Sequence, residues 1–310
     1  MKKLFILALF IIASMAQAQD QTISPSSPLI QYSGRFDFSN PAAPRFDWSG
    51  CSITVAFKGT SVGLLLEDGK NNYDVYLDNK PVTVWVTQPS QTAYTLEGLS
   101  QGEHLLRVVK RTEALWGVTT FKGVLLKDKG EILKAPDAPA HRIEIIGDSY
   151  VCGYGSESTT VKCEDLRPYE NVEKAFGALV AKEFNAEYHV VAYSGKGIVR
   201  NYGDKAQRSP DPFPPLYDRT LCGDEKLAWD FKQWVPHAVI IHLGTNDHST
   251  EPHPDPKDFT HGYVDLLKHM RDKYPKAMIY CLVTSGWPNF SPLIDKIVEK
   301  RVVASEMTSQ

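Results

Sequence analysis

The hydrophobic rhythm of this chain changes once, across residues 127–141, and that single change leaves few folds open to it. Upstream, apolar residues alternate with polar ones over short runs split by turn residues. Residues 51–57 alternate and end at Lys58-Gly59-Thr60, and residues 61–67 end at Asp68-Gly69-Lys70. Residues 73–77 and 82–86 flank Asp78-Asn79-Lys80, a turn composition suited to a hairpin. Residues 104–110 and 121–126 continue the pattern, and no stretch of this half carries an apolar stripe of helical period and length. Many short antiparallel strands predict an all-β sandwich of jelly-roll type.

Downstream, strand-like runs at residues 143–146, 188–192, 238–243 and 277–283 alternate with helical stretches at 171–184, 226–234, 259–273 and 292–305. Phe259, Tyr263, Leu266, Leu267 and Met270 recur at three- and four-residue steps, the stripe of a helix packed on a sheet face. This rhythm predicts a three-layer α/β domain with a mostly parallel sheet. The proline- and glycine-bearing segment between the halves reads as a linker. The expected boundaries are a β-sandwich at 19–134, a linker at 135–141 and an α/β domain at 142–310.

Lys2-Lys3 followed by an apolar run to Met15 and then Ala16-Gln17-Ala18 has the form of a secretory signal over residues 1–18, so the mature chain is expected to begin at Gln19. The run is short for a membrane span, and no cysteine follows the cleavage site to carry a lipid anchor. The product is expected to be a soluble monomer, secreted or periplasmic. A net charge of -3 with both signs mixed throughout gives no basic surface for nucleic acid or an anionic membrane. The five cysteines, an odd number, leave at least one unpaired. Cys163 and Cys222 lie in polar, turn-rich sequence that suits a loop-to-loop bridge. Cys281, in a run that reads as a central strand, is expected to be a small buried hydrophobe. No cysteine pair has metal-site spacing, and no cofactor is implied.

Two strand-like runs break into polar turns of the same form, rich in Gly and Asp. One is Ile143-Glu144-Ile145-Ile146-Gly147-Asp148-Ser149, and the other, about a hundred residues later, is Leu243-Gly244-Thr245-Asn246-Asp247. Open α/β sheets present their chemistry at such carboxyl ends. One turn offers a hydroxyl nucleophile and the other an amide donor, the parts acyl transfer needs. The same residues also suit plainer roles, Ser149 as a helix cap and Asn246 as an Asx-turn. Cys152 is a rival nucleophile, set back from the strand end. Gly153 and Gly155 match neither a dinucleotide nor a phosphate loop.

Gly147-Asp148-Ser149, the later Ser194-Gly195 and Gly244-Thr245-Asn246-Asp247 resemble three of the four signature blocks of the SGNH (GDSL-type) hydrolases, in order along the chain. Within that superfamily, the all-β first half, the run Ile146-Gly147-Asp148-Ser149-x-x-Cys152-Gly153-Tyr154-Gly155, and Ala192-Tyr193-Ser194-Gly195-Lys196-Gly197-Ile198 resemble the family 2 carbohydrate esterases, or acetyl xylan esterases. The resemblance implies Ser149 as nucleophile and its own N–H as one oxyanion donor. Gly195 N–H and the Asn246 amide would be the other two. It implies removal of O-acetyl groups from plant-wall oligo- or polysaccharides such as xylan, mannan or glucomannan, with no metal or organic cofactor.

The fourth block, an Asp-x-x-His after the last sheet strand, is not found there. The one Asp-x-x-His, Asp258-Phe259-Thr260-His261, precedes that strand and reads as the first turn of a helix. The expectation is that a final strand, histidine loop and helix are missing from this sequence and that its activity is impaired. A carbohydrate-binding protein derived from such an enzyme is the alternative. Of the nine histidines, His248 and His253 follow Asn246 at the right end of the sheet and are the candidate substitute bases, with His261 a weaker third. Tyr154 and Trp287 are the candidate substrate-binding aromatics. The proline-rich loop between Asn201 and Cys222 is expected to form a rim.

Overall fold

The computed structural model describes residues 20–127, 129–160, 166–284 and 290–307, the last eight by backbone alone. The first half holds β1 (Gln21–Ile23), β2 (Ile30–Ser33), β3 (Arg45–Phe46), β4 (Ser52–Gly59), β5 (Val62–Glu67), β6 (Asn72–Leu77), β7 (Lys80–Val86), β8 (Ala93–Leu96), β9 (Gly102–Lys110), β10 (Thr119–Leu126) and β11 (Glu131–Leu133). They form two antiparallel sheets. One runs β1-β10-β5-β8 with β3 also on β10; the other runs β11-β4-β9-β6-β7 with β2 also on β4. The two sheets make the expected jelly-roll-like sandwich.

Alternation in sequence becomes burial in the sandwich: Val55, Phe57, Val62, Leu64, Leu66, Leu106, Phe121 and Val124 are sealed from solvent. Burying one such side chain contributes roughly 1.5–3 kcal/mol. The β6–β7 hairpin turns through Asp78 and Asn79, both at positive φ, the conformation of a tight primed turn. The short strands β1, β2, β3, β8 and β11 carry too few residues to announce a period of two, and the sequence gives little sign of them.

The second half holds β12 (His141–Gly147), α1 (Ser149–Cys152), α2 (Phe176–Glu183), β13 (Ala186–Ala192), β14 (Ala238–His242), α3 (Thr245–His248), α4 (Pro256–Lys273), β15 (Met278–Cys281) and α5 (Ser291–Met307). Its sheet is parallel with order β13-β12-β14-β15. Ile145 and Ile146, on opposite faces of β12, are both fully buried, as a strand covered on both sides requires. Asp255 caps α4 through the Lys257 N–H at 2.7 Å, and Phe259, Tyr263, Leu266 and Met270 form its buried stripe. No helix among the described residues is long and apolar enough to cross a membrane.

Three expectations are corrected. Residues 226–234 do not form a helix. Their backbone bonds to the preceding turn instead, with Thr220 N–H on Leu227 O and Trp229 N–H on Asp218 O. This lets Trp229, Phe231 and Trp234 all bury. The stretch 171–184 divides into a short 3-10 turn (Val172–Lys174) and α2, because the Ala175 N–H turns back to Val172 O. The strand β15 is not central: among the described residues it closes one side of its sheet, with Met278 and Tyr280 exposed and Cys281 only partly buried. Cys163 and its expected bridge to Cys222 lie outside the described residues, as do residues 1–19.

The two halves share a polar seam. Arg35, fully buried, pairs with Glu144 at 3.1 Å and donates to the carbonyls of Tyr217 and Arg219. Its guanidinium also lies over the Trp229, Tyr217 and Phe231 rings. Trp48 Nε1 donates to Thr220 O, and Asp47 accepts the Cys222 N–H. The β-sandwich is therefore built against the α/β domain rather than strung from it.

Candidate active site

Ser149 stands where the sequence expects it, two residues past the carboxyl end of β12. Asp148 caps α1 by accepting the Tyr150 N–H on Oδ1 at 3.1 Å. Its other oxygen accepts the Thr245 hydroxyl and the Asn246 Nδ2, the latter at 3.1 Å. Asp148, fully buried, thus ties the turn after β12 to the turn after β14. Ser149 is partly exposed, and nothing among the described residues hydrogen-bonds its hydroxyl or takes its backbone N–H.

A third turn follows β13. Its amides are accounted for one by one. Tyr193 N–H donates to Gly147 O at 3.2 Å, and Lys196 N–H to Tyr193 O at 3.3 Å. Ser194 N–H donates to the Glu113 carboxyl at 2.7 Å, and Gly197 N–H to Asn201 Oδ1 at 3.2 Å. Ile198, Val199 and Arg200 all donate to Asp247, at 2.8, 2.8 and 3.0 Å. From Tyr193 to Arg200 the one amide with no acceptor among the described residues is that of Gly195. Gly195 holds φ +80°, a left-handed conformation that glycine adopts without steric cost. Gly197 is glycine for another reason: a Cβ there would stand 2.0 Å from Arg200 O and 2.5 Å from Asp247 Oδ2.

Asn246, in α3 and buried, completes the junction. Its Nδ2 donates both to Asp148 and to Lys196 O at 2.8 Å, so one side chain holds all three turns. Both amide hydrogens are engaged in this state. Burial pushes the Asp247 carboxyl up to about 6, against the pull of the three amides that bind its charged form. Its role here is as a brace of the glycine loop.

None of the nine histidines hydrogen-bonds Ser149. His248 is buried, its Nδ1 within 3.1 Å of Gly244 O and its ring packed on Phe259 and Phe290. His253 is partly exposed with Nδ1 3.4 Å from Glu251. His261 rides on α4. His242, within β14, does reach the turn: its Nδ1 is 3.8 Å from Asp148 Oδ1, its Nε2 2.6 Å from Thr284 Oγ1, and its ring lies against Tyr150. Burial within the strand hid that approach from the sequence.

Of the candidate aromatics, Tyr154 is exposed and its N–H donates to Ser149 O at 3.0 Å. Trp287 lies outside the described residues. Tyr202, absent from the sequence expectations, is exposed over most of its surface, and its N–H donates to Gly195 O at 2.8 Å. Its one sequence cue is an aromatic in the turn Asn201-Tyr202-Gly203, shortly after Ser194-Gly195.

A strand-end serine, an unoccupied glycine amide in a braced loop, and an asparagine joining both turns on a parallel sheet define a serine hydrolase domain of the SGNH type. Residues 145–305 match the GDSL-like lipase/acylhydrolase family, and residues 32–136 match the carbohydrate esterase 2 N-terminal family. The chain is 36% identical over 267 residues to the cellulase/esterase CelE of Acetivibrio thermocellus, covering 85% of this chain and 32% of that protein's length. It is 33% identical to an acetylxylan esterase / glucomannan deacetylase of Cellvibrio japonicus, covering 81% of this chain and 71% of that one. The fold overlays a family two carbohydrate esterase from Clostridium thermocellum in complex with cellohexaose, with TM-score 0.81 and 33% identity over 89% of this chain and 85% of that chain. The chain belongs to carbohydrate esterase family 2.

Proposed function

We propose that this chain is a carbohydrate O-acetyl esterase that releases acetate from acetylated plant-wall oligo- or polysaccharides through an acetyl-Ser149 intermediate. The observation that carries the reading is the open Gly195 amide in a run of otherwise occupied N–H groups, beside a serine whose own N–H is also open. Ser149 Oγ attacks the acetyl carbonyl, and the developing oxyanion is received by the N–H groups of Ser149 and Gly195. Asn246 joins them by turning one amide hydrogen away from Asp148 or Lys196. The sugar hydroxyl leaves with a proton, and water then frees acetate from the serine. Tyr202 and Tyr154 flank the turn and offer aromatic faces to a pyranose ring. Similarity to the two acetylxylan esterase / glucomannan deacetylases of Cellvibrio japonicus supports the same substrate class.

Proton removal is the slow part. With no imidazole bonded to Ser149, the 310-residue chain is expected to turn over far below the ordinary enzymatic rate of about 10 per second. Imidazole added to the buffer is expected to raise the Ser149-dependent rate by supplying the missing acceptor. Acetate release from acetylated xylo-oligosaccharides, compared between the native chain and Ser149→Ala, tests the reading. Release that survives in Ser149→Ala at an equal rate overturns it.

A second reading is favoured by the same bare hydroxyl: a protein that binds oligosaccharide at this site with little turnover. Calorimetric binding of unacetylated oligosaccharide with negligible acetate release would select it. Lys2-Lys3, the apolar run and Ala16-Gln17-Ala18 support export to the periplasm or medium. An intact mass of the mature protein that retains residues 1–18 would remove that proposal.

A further inference from the structure

We propose that Glu113, a side chain of the β-sandwich half, is a positioning residue for the oxyanion loop: it seats the Ser194 amide and so fixes the aim of the Gly195 N–H. The proposal rests on the esterase reading above for what that N–H does, though not for the contact itself. Glu113 follows β9 and is sealed from solvent. Its Oε2 accepts the Ser194 N–H at 2.7 Å and the Cys152 thiol at 3.6 Å. The peptide that carries the Gly195 N–H is thereby flanked by two anchored ones: Glu113 holds the N–H of the Tyr193–Ser194 peptide, and the Tyr202 N–H holds the carbonyl of the Gly195–Lys196 peptide.

Among the described residues, nothing in the α/β domain supplies this acceptor. The carboxyl crosses the seam between the halves to do it, and a buried framework holds it there. Glu170 Oε1 accepts the backbone N–H of Glu113 at 2.8 Å, while Glu170 Oε2 accepts Trp116 Nε1 at 2.7 Å. Lys110, also fully buried, donates its ammonium to the carbonyls of Thr112 and Glu113, at 2.7 and 3.0 Å. Glu113, Cys152 and Glu170 bring ligand-type atoms within 4.8 Å of one another, but Glu113 Oε2 and both Glu170 oxygens already accept from Ser194, the Glu113 backbone and Trp116, and the Lys110 ammonium sits beside them. That environment suits a hydrogen-bonded strut better than a metal. Its one loose end is Glu113 Oε1, buried without a partner. Burial holds the Glu113 carboxyl above the usual carboxylate range, against the pull of the Ser194 bonds. Glutamine at this position keeps an acceptor oxygen of the same reach, and alanine keeps none.

Two variants separate aim from mere support. Glu113→Gln keeps an acceptor oxygen facing Ser194; Glu113→Ala removes it. The first readout needs no turnover: amide hydrogen exchange in a peptide spanning residues 193–197, with one from β4 as the internal control. Exchange at Ser194–Gly195 is expected to speed by about tenfold or more in Glu113→Ala, and to stay within about threefold of native in Glu113→Gln, with β4 unchanged in both. The second readout is Ser149-dependent hydrolysis of an acetyl ester. Glu113→Ala is expected to lower kcat by about tenfold to a hundredfold with KM nearly unchanged, and Glu113→Gln to recover most of it. Unaltered exchange at residues 193–197 in Glu113→Ala overturns the proposal. So does a loss shared equally by both variants and tracking their melting temperatures. Absence of Ser149-dependent turnover in the native chain overturns the esterase reading instead, and leaves the exchange comparison to decide Glu113 alone.

Discussion

Glycine does two different jobs within three residues of the loop after β13, and substitution tells them apart. At Gly195 the nearest atom to an added Cβ is Tyr202 Cβ at 4.0 Å, so space is available and the backbone angle alone resists. Gly195→Ala is expected to cost stability only about 1–2 kcal/mol, the usual left-handed penalty. It should lower Ser149-dependent kcat by more than that strain implies, because relaxing φ swings the N–H away. At Gly197 a Cβ meets a carbonyl and a carboxylate at bonding distance, and Gly197→Ala is expected to unfold the loop and destabilise the whole domain. Thermal melts beside kinetics of both variants check the pair: equal melting losses would show that the distinction is false. Ser149 and Asn246 stand out in sequence as polar turns that end apolar runs, whereas Gly195 enters only through the resemblance carried by Ser194-Gly195. Glu113 does neither. Its bond to Ser194 spans 81 residues, and no local pattern encodes a carboxyl that works in the other domain.

Turns after β12, β13 and β14 are independent elements in sequence and a single one in space, because Asp148 and Asn246 bridge them. Losing the Asp148 carboxyl therefore removes more than a helix cap. A lost cap costs about 1 kcal/mol, and each buried donor left without an acceptor about 1–3 kcal/mol. Asp148→Ala orphans Thr245 Oγ1 and one hydrogen of Asn246 together. A destabilisation of about 2–4 kcal/mol is expected from urea unfolding; a loss of only a few tenths would mean that the bridge relaxes into other partners. The strands that carry these turns were readable from their apolar runs. The segment 226–234 was not, since its aromatic residues satisfied a helical reading equally well. What decides its path is Arg35, far away in sequence, whose buried guanidinium takes the Trp229 and Phe231 rings as walls. Periodicity describes a segment's own faces, and here a cation from the other domain outweighs it.

At the scale of the molecule, the seam between the halves is stitched by ionised groups, which makes the union of the domains sensitive to acid. Glu173 shows it best. Burial by itself would raise its pKa, but the Arg107 guanidinium of β9, with hydrogen bonds from Tyr188, Arg107 and Tyr76, outweighs burial and holds the carboxyl below the usual range. A carboxyl lowered in the folded state binds fewer protons there than in the unfolded chain at acidic pH. Its stabilisation is complete above the unfolded value of about 4.3 and is lost as pH falls through the folded one. The share of the unfolding free energy that Glu173 contributes is therefore expected to fall between about pH 5 and pH 3. Glu173→Gln should be less stable than the native chain at about pH 6, by about 1–3 kcal/mol, with the gap narrowing toward about pH 3 as the native carboxyl also becomes neutral. The other carboxylates lowered by partners, among them Asp68, Glu157 and Glu187, titrate alike in both proteins and cancel in the difference. A gap that stays constant across that range would mean that the Glu173 contact acts through shape alone. In that case the charge of Arg107 would be incidental to holding the sandwich against the catalytic sheet.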